Sequence, residues 1–176
     1  SAAPASLPAG DGRVRRFVEV ASLCNDARPS ESGYLGDPTE VALLLAVADL
    51  GADPAEVRRG LPRLDEFGFD SRRKRMSTIH AAPAGLLAAV KGAPEVLVTR
   101  CAAVEGEGGP RPLAEERRAE VLAAARELAE RGLRTLALAY REAAELPGDA
   151  EGVESGLTLA GLVGMSDAVR PEAAPA

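Results

Sequence analysis

Apolar positions along the chain fall into stretches of two different periods. Val14, Phe17, Val18, Ala21 and Cys24 recur at helical spacing and predict a helix over Val14–Asn25. A loop carrying Pro29, Ser30, Gly33 and Gly36 follows. Pro38 suits a helix's first turn, so Thr39-Glu40 leads into a helix over Val41–Leu50, and Asp53-Pro54 opens another, short one. The most regular helix is Leu113–Arg131: Val121, Leu122, Ala125 and Leu128 make one face, charges cover the other, and Gly132 stops it. Between these helices the period drops toward two. Pro62–Phe69, Arg73–Ala81 and Leu86–Lys91 read as three strands, antiparallel because their connections are too short for crossover helices. Pro94–Cys101 predicts a helical turn or two, Gly106–Pro112 a loop, Leu133–Tyr140 a strand and Leu157–Met165 a further apolar segment. Residues 1–12, rich in Ala, Pro and Gly, read as a flexible leader.

A length of 176 residues fits one domain and can bury a full core without disulfides or metals. Aromatics make up only 3% and Trp is absent, so that core rests on Leu, Val and Ala. The net charge of −6 argues against general affinity for nucleic acid or an anionic membrane. No apolar run approaches the roughly 20 residues that span a bilayer, and Ser1–Gly10 lacks the basic start and apolar middle of a signal peptide, so the chain is expected to be soluble. Cys24 and Cys101 are too isolated for a disulfide framework or a zinc site and suit a reducing compartment. His80, the single histidine, reads as a half-buried strand residue.

Only two of the 21 cationic side chains are lysines. Either the composition is arginine-biased, or these two positions need a compact ammonium, as in point-charge contact with phosphate. Lys74 lies in Phe69-Asp70-Ser71-Arg72-Arg73-Lys74-Arg75-Met76-Ser77. As a strand, this segment puts Lys74 and Met76 on one face and Arg73 and Arg75 on the other. An aromatic and a Met beside a cation fit a base-stacking, phosphate-binding site, and a basic edge strand that deters aggregation fits equally well. Lys91 opens Lys91-Gly92-Ala93-Pro94-Glu95, where small residues let a ligand approach the backbone and a helix start offers free N–H groups. An ordinary strand-to-helix turn with a solvated Lys is the alternative. In Gly36-Asp37-Pro38-Thr39-Glu40, Asp37 or Thr39 caps a helix, and Glu40 could accept from the exocyclic amine of a purine. Arg134 either pairs with an anion or is a surface arginine. Walker and Rossmann fingerprints, nucleophile–histidine pairs and metal-ligand spacings are all missing from the sequence, which leaves binding features without a catalytic group.

Taken together and in this order, these motifs are specific. Leu23-Cys24-Asn25-Asp26, Gly36–Glu40, Phe69–Ser77, Lys91–Glu95, Gly132-Leu133-Arg134-Thr135-Leu136-Ala137 and Gly161-Leu162-Val163-Gly164-Met165-Ser166-Asp167 resemble those of P-type cation-transporting ATPases. The chain resembles the cytoplasmic nucleotide-binding domain of the calcium-pump-like branch over roughly Val14 to Glu172. The resemblance implies an α+β fold, a twisted antiparallel sheet flanked by helices, occupying residues 13–166, with 167–176 a truncated hinge toward a phosphorylation domain. It implies that ATP's adenine stacks near Phe69, with Met76 in the wall and Lys91 at the border. Glu40 would lie near the adenine amine, Lys74 toward adenine and phosphates, and Arg134 toward the phosphates, while Gly92, Ala93 and Leu136 complete the cavity. An Arg often stands where this chain has Ser71, a phosphate-side contact that Arg72 or Arg73 would then replace.

The family's phosphorylated Asp-Lys-Thr-Gly-Thr and its Gly-Asp-Gly-x-Asn-Asp segment are not in the sequence, nor are membrane helices, and Asp167-Ala168-Val169-Arg170 stands where the family reads Asp-Pro-Pro-Arg. The implied piece, cut at both hinges, binds ATP with its accompanying Mg²⁺, the latter held mainly by the phosphorylation domain. It positions ATP for transfer to an aspartate elsewhere and does not hydrolyse it alone. Its implied partners are the phosphorylation and actuator domains on the cytoplasmic side of a membrane. The piece itself is expected to be a monomer without nucleic-acid or direct membrane contact. Calcium is the first expectation for the ion, with sodium, potassium, proton or magnesium as others. A non-catalytic interaction module that kept the fold and lost nucleotide binding is the alternative, favoured by Ser71, and an independent hydrolase is a third.

Overall fold

A computed structural model describes residues 11–166 of the chain. In chain order the elements are α1 (Gly12–Leu23), β1 (Arg28–Ser30), β2 (Gly33–Leu35), α2 (Pro38–Asp49), α3 (Pro54–Gly60), β3 (Arg63–Asp70), β4 (Arg75–Ala82) and β5 (Gly85–Gly92). They continue with α4 (Pro94–Leu97), β6 (Cys101–Gly106), β7 (Gly109–Pro112), α5 (Glu115–Glu130), β8 (Arg134–Ala143), α6 (Ala150–Val153) and β9 (Leu157–Met165). Four of the helices open on an aspartate whose carboxylate accepts from the first turn: Asp11 from Arg13 N, Asp37 from Thr39 N, Asp53 from Ala55 N and Asp149 from Gly152 N. At α2 and α3 a proline follows that cap, where its missing N–H costs nothing. Helix α5 ends as its sequence predicts, with Gly132 at φ 78° and the amides of Gly132 and Leu133 returning to Ala129 and Leu128 carbonyls.

Seven strands form one sheet in the order β3-β4-β5-β8-β9-β6-β7, and β1-β2 form a separate hairpin. The expected α+β class holds, with antiparallel pairing everywhere in the large sheet except between β6 and β9, which run parallel. One face of the sheet, through Met76, Leu87, Ala89, Leu138 and Tyr140, buries α1 residues Val18, Ala21 and Leu23 and α2 residues Leu43 and Val47. The other face, through Val90, Ala137, Ala139 and Leu159, packs on Leu97 of α4 and Val121 of α5. Among the described residues no helix is long and apolar enough to cross a membrane. The expected leader and hinge lie outside the described residues, apart from Asp11 and Gly12, which cap and open α1.

Three sequence expectations are corrected. Gly106–Pro112 is a hairpin tip and an edge strand, because β7 sits at the sheet margin where prolines cost no ladder bond. Arg73 and Lys74 do not belong to β4. The Asp70 carboxylate accepts from Arg72 N at 2.7 Å and Arg73 N at 3.0 Å, folding the segment into a turn that leaves Lys74 at φ 54°. Lys74 and Met76 therefore do not share a strand face. His80 is fully buried: its ring nitrogens lie 2.8 Å from both Leu61 O and Thr78 Oγ1, and burial, with Arg63 adding, pushes it down to about 4.

Candidate functional site

A cleft of about 460 Å³ opens where the first turn of α2 meets the ends of β3, β4, β5 and β8. Ladder register builds its floor. Met76 pairs with Lys91 across β4-β5, so both side chains emerge on the α1/α2 face, and Leu136 of β8 emerges there too. Helix α2 supplies Thr39 and Glu40 from above, after the Asp37 cap. Phe69 stands at the β3 end, 66% exposed, a large aromatic left in water.

Lys91 is the anomaly of this site, only 7% exposed. Its ammonium makes an ion pair with the Glu40 carboxylate, also largely buried. An unpaired ammonium buried there would be costly, and the Glu40 carboxylate is the partner that offsets that cost. The solvated-lysine reading is thereby excluded. Helix α2 is in turn locked to α1. Asn25, buried, donates from Nδ2 to Ala21 O at 3.1 Å and to Glu40 O at 2.9 Å, and its Oδ1 accepts from Ala27 N at 2.9 Å. This bracing is the structural role of Asn25 within the Leu23–Asp26 motif. Beside it, burial pushes the Cys24 thiol up to about 11, against the pull of the Lys91 ammonium. On the far wall, Arg134 Nη1 donates to Thr39 Oγ1 at 2.7 Å, bridging β8 to α2.

Seven of the ten residues proposed from sequence line this cleft: Glu40, Phe69, Met76, Lys91, Gly92, Arg134 and Leu136. Lys74, Ser71 and Ala93 are not among the lining residues. Lys74 sits in the exposed turn with its ammonium 3.6 Å from Glu95, Ser71 shares that turn, and the Ala93 amide donates to Lys74 O at 3.0 Å. Gly92 has a structural reason to be glycine: a Cβ there would meet Arg75 Cβ and Lys74 O at 2.7 Å. Of the two arginines expected to stand in at Ser71, Arg73 is turned away from the cleft. Its guanidinium is bound to Glu154 on the opposite face of the sheet.

Sequence reasoning missed Asp26, Asp37 and Thr39 as lining residues. The latter two were legible only as helix caps, and Asp26, paired to Arg63 at 2.8 Å, only as the last residue of the Leu23–Asp26 motif, with no role attached. Among the described residues no group of three or more His, Cys, Asp and Glu side chains could hold a metal.

Residues 13–172 match the family model described as P-type ATPase, cytoplasmic domain N. The chain is 35% identical over 158 residues to calcium-transporting ATPase 1 of Bacillus cereus and 39% identical over 166 residues to the calcium-transporting ATPase of Bacillus subtilis. Each of these alignments covers 90% of this chain and 18% of the relative. It is also 35% identical over 180 residues to the probable cation-transporting ATPase F of Mycobacterium tuberculosis, covering 98% of this chain and 20% of the relative. The chain thus spans about a fifth of the length of these curated relatives. With the match running through every element that builds the cleft, the chain belongs to the P-type ATPase family, as its cytoplasmic domain N.

Proposed function

We propose that this domain binds ATP in the cleft between α2 and the β3–β8 strand ends and positions it for phosphoryl transfer to an aspartate in a separate domain, driving cation transport. The observation that carries the reading is Phe69: a 66%-exposed ring beside an apolar floor of Met76 and Leu136, with Lys91, Glu40 and Arg134 around it. The set suits a nucleotide. The ring offers a stacking face, Glu40 an acceptor for an exocyclic amine, and Lys91 and Arg134 fixed positive charge for phosphate oxygens. Lys74, outside the cleft wall, would reach the ligand only by leaving Glu95. Bound ATP, with Mg²⁺ held mainly by the phosphorylation domain, supplies the transferable phosphoryl group. The domain's own share is positioning, which by itself accounts for a large part of such barriers, and it would not hydrolyse ATP alone. The partners in this reading are the phosphorylation and actuator domains on the cytoplasmic side of a membrane. Calcium is the first choice of ion on the names of the relatives.

A second reading, an interaction module that has lost nucleotide binding, is favoured by Ser71 and by the commitment of Arg73 to Glu154. Titration of the ¹⁵N-labelled chain with ATP, AMP and GTP separates the two. ATP at millimolar concentration is expected to shift the Phe69, Glu40 and Lys91 signals, with GTP weaker, and Phe69→Ala to weaken ATP by about 1–3 kcal/mol. Unmoved signals in the wild-type chain would favour the second reading, and turnover by the purified chain would contradict both.

A further inference from the structure

Glu154, at the end of α6, has no exposed surface and lies on the sheet face opposite the cleft. Its carboxylate accepts from Arg75 Nε at 2.6 Å, Ser77 Oγ at 2.8 Å, and Arg73 Nη2 and Nε at 3.2 and 3.3 Å. The two arginines carry this grip to the backbone around the turn. Arg73 Nη2 donates to Gly68 O at 3.1 Å and Arg75 O at 3.3 Å, and Arg75 Nη1 donates to Arg73 O at 3.0 Å. From the same helix Glu151 accepts from Arg75 Nη2 at 2.6 Å and Arg100 Nη2 at 2.5 Å, which steadies the arginines further.

The β3-β4 ladder has a gap at this point. Register runs to Phe67↔Ser77, breaks, and resumes at Asp70↔Arg75, so Gly68 and Phe69 are skipped. The Arg73 bond to Gly68 O stands in for the ladder next to the exposed ring. Closing the turn does not require it, since Asp70 already caps the amides of Arg72 and Arg73. Nor does stability demand a fully buried carboxylate, because apolar replacements of buried ion pairs are often neutral or better. What the network adds is a fixed place for the β3 end.

We infer that Glu154 is a positioning residue of the nucleotide site, acting through Arg73 and Arg75 to hold the Phe69 ring over the cleft. The inference rests on the ATP-binding reading above. Its test is a double-mutant cycle of Glu154→Gln and Phe69→Ala, titrated with ATP and accompanied by ¹⁵N relaxation of the Gly68 and Phe69 amides. Glu154→Gln should weaken ATP by about three- to tenfold in the wild-type background and by less than about twofold where Phe69 is already alanine. The Gly68 and Phe69 amides should gain fast motion in the single variant. Equal weakening in both backgrounds, or unchanged relaxation, would overturn the positioning role, because a general loss of stability does not depend on Phe69. If Glu154→Gln fails to fold, Arg73→Gln takes its place in the cycle with the same expected and refuting outcomes. That variant cuts the Gly68 link and leaves Glu154 bonded to Arg75 and Ser77. A wild-type chain that does not bind ATP overturns the reading of the cleft and this inference with it. A wild-type chain that binds ATP but gives an additive cycle overturns the inference alone.

Discussion

Removing the charge of Lys91 should affect stability and nucleotide binding in separable ways. The ammonium and its partner Glu40 have side chains only 9% and 13% exposed. Lys91→Met keeps the stem's apolar contacts and leaves the Glu40 carboxylate largely buried without its cation. Breaking such a pair from one side costs about 3–5 kcal/mol, and the residual exposure here argues for the lower end, about 3 kcal/mol. For a domain of this size that lowers Tm by roughly 6–12 °C. Glu40→Gln should fall similarly, because it strands the lysine. The double variant Lys91→Met/Glu40→Gln, with neither charge left, should return to within about 1 kcal/mol of wild type. ATP binding should not return with it. Losing one charge-assisted contact costs about 1.5–3 kcal/mol, so affinity should drop roughly 10- to 150-fold in Lys91→Met and at least as far in the double variant. Urea denaturation supplies the first set of values and calorimetric titration with ATP the second. Wild-type stability in Lys91→Met would show that the buried pair does not hold Glu40 in place, and ATP affinity regained in the double variant would show that the Lys91 ammonium does not contact the ligand.

Two further outcomes follow from particular contacts. Gly92→Ala should destabilise by about 1–3 kcal/mol in thermal denaturation, because the new methyl meets Arg75 Cβ and Lys74 O at 2.7 Å; unchanged Tm would mean the β4-β5 separation relaxes freely. His80, lowered from 6.5 to about 4 in the fold, should contribute stability that is complete above pH 6.5 and declines as pH falls toward 4, where the unfolded chain binds the proton first, at up to about 1.4 kcal/mol per pH unit. Because it is the single histidine, its imidazole proton signals can be followed by NMR without ambiguity. Titration near the ordinary value in the folded chain would contradict its burial.

The parts of the fold that local chemistry specifies were legible in the sequence. Helices α2 and α3 announce themselves by Asp-Pro starts, and α5 by a periodic face and Gly132. The β3–β5 strands are marked by alternation and short turns. The β1-β2 hairpin was not legible because its three-residue strands are mostly exposed and carry no alternation. Strand β7 was hidden by the prolines that its edge position tolerates. At the cleft, motif order pointed to most of the lining. It misplaced Lys74 because a single carboxylate, Asp70, bends the chain just where strand alternation was being extrapolated. Glu154 was beyond reach for a different reason. Its partners Arg73, Arg75 and Ser77 lie 77–81 residues away, and nothing in the sequence near Ala150 reveals a buried anion.

Strand β9 is the last of the described strands along the chain, yet it lies inside the sheet, bonded to β8 on one side and β6 on the other. During synthesis, therefore, β8 and β6 both emerge from the ribosome as open edges, and the β6-β7 hairpin has no ladder joining it to β3–β5 until β9 arrives. Edges of that kind invite pairing with other chains. The β6-β7 hairpin can therefore join the β3-β4-β5-β8 block only after residue 165 has been made, because β9 is the strand that links the two.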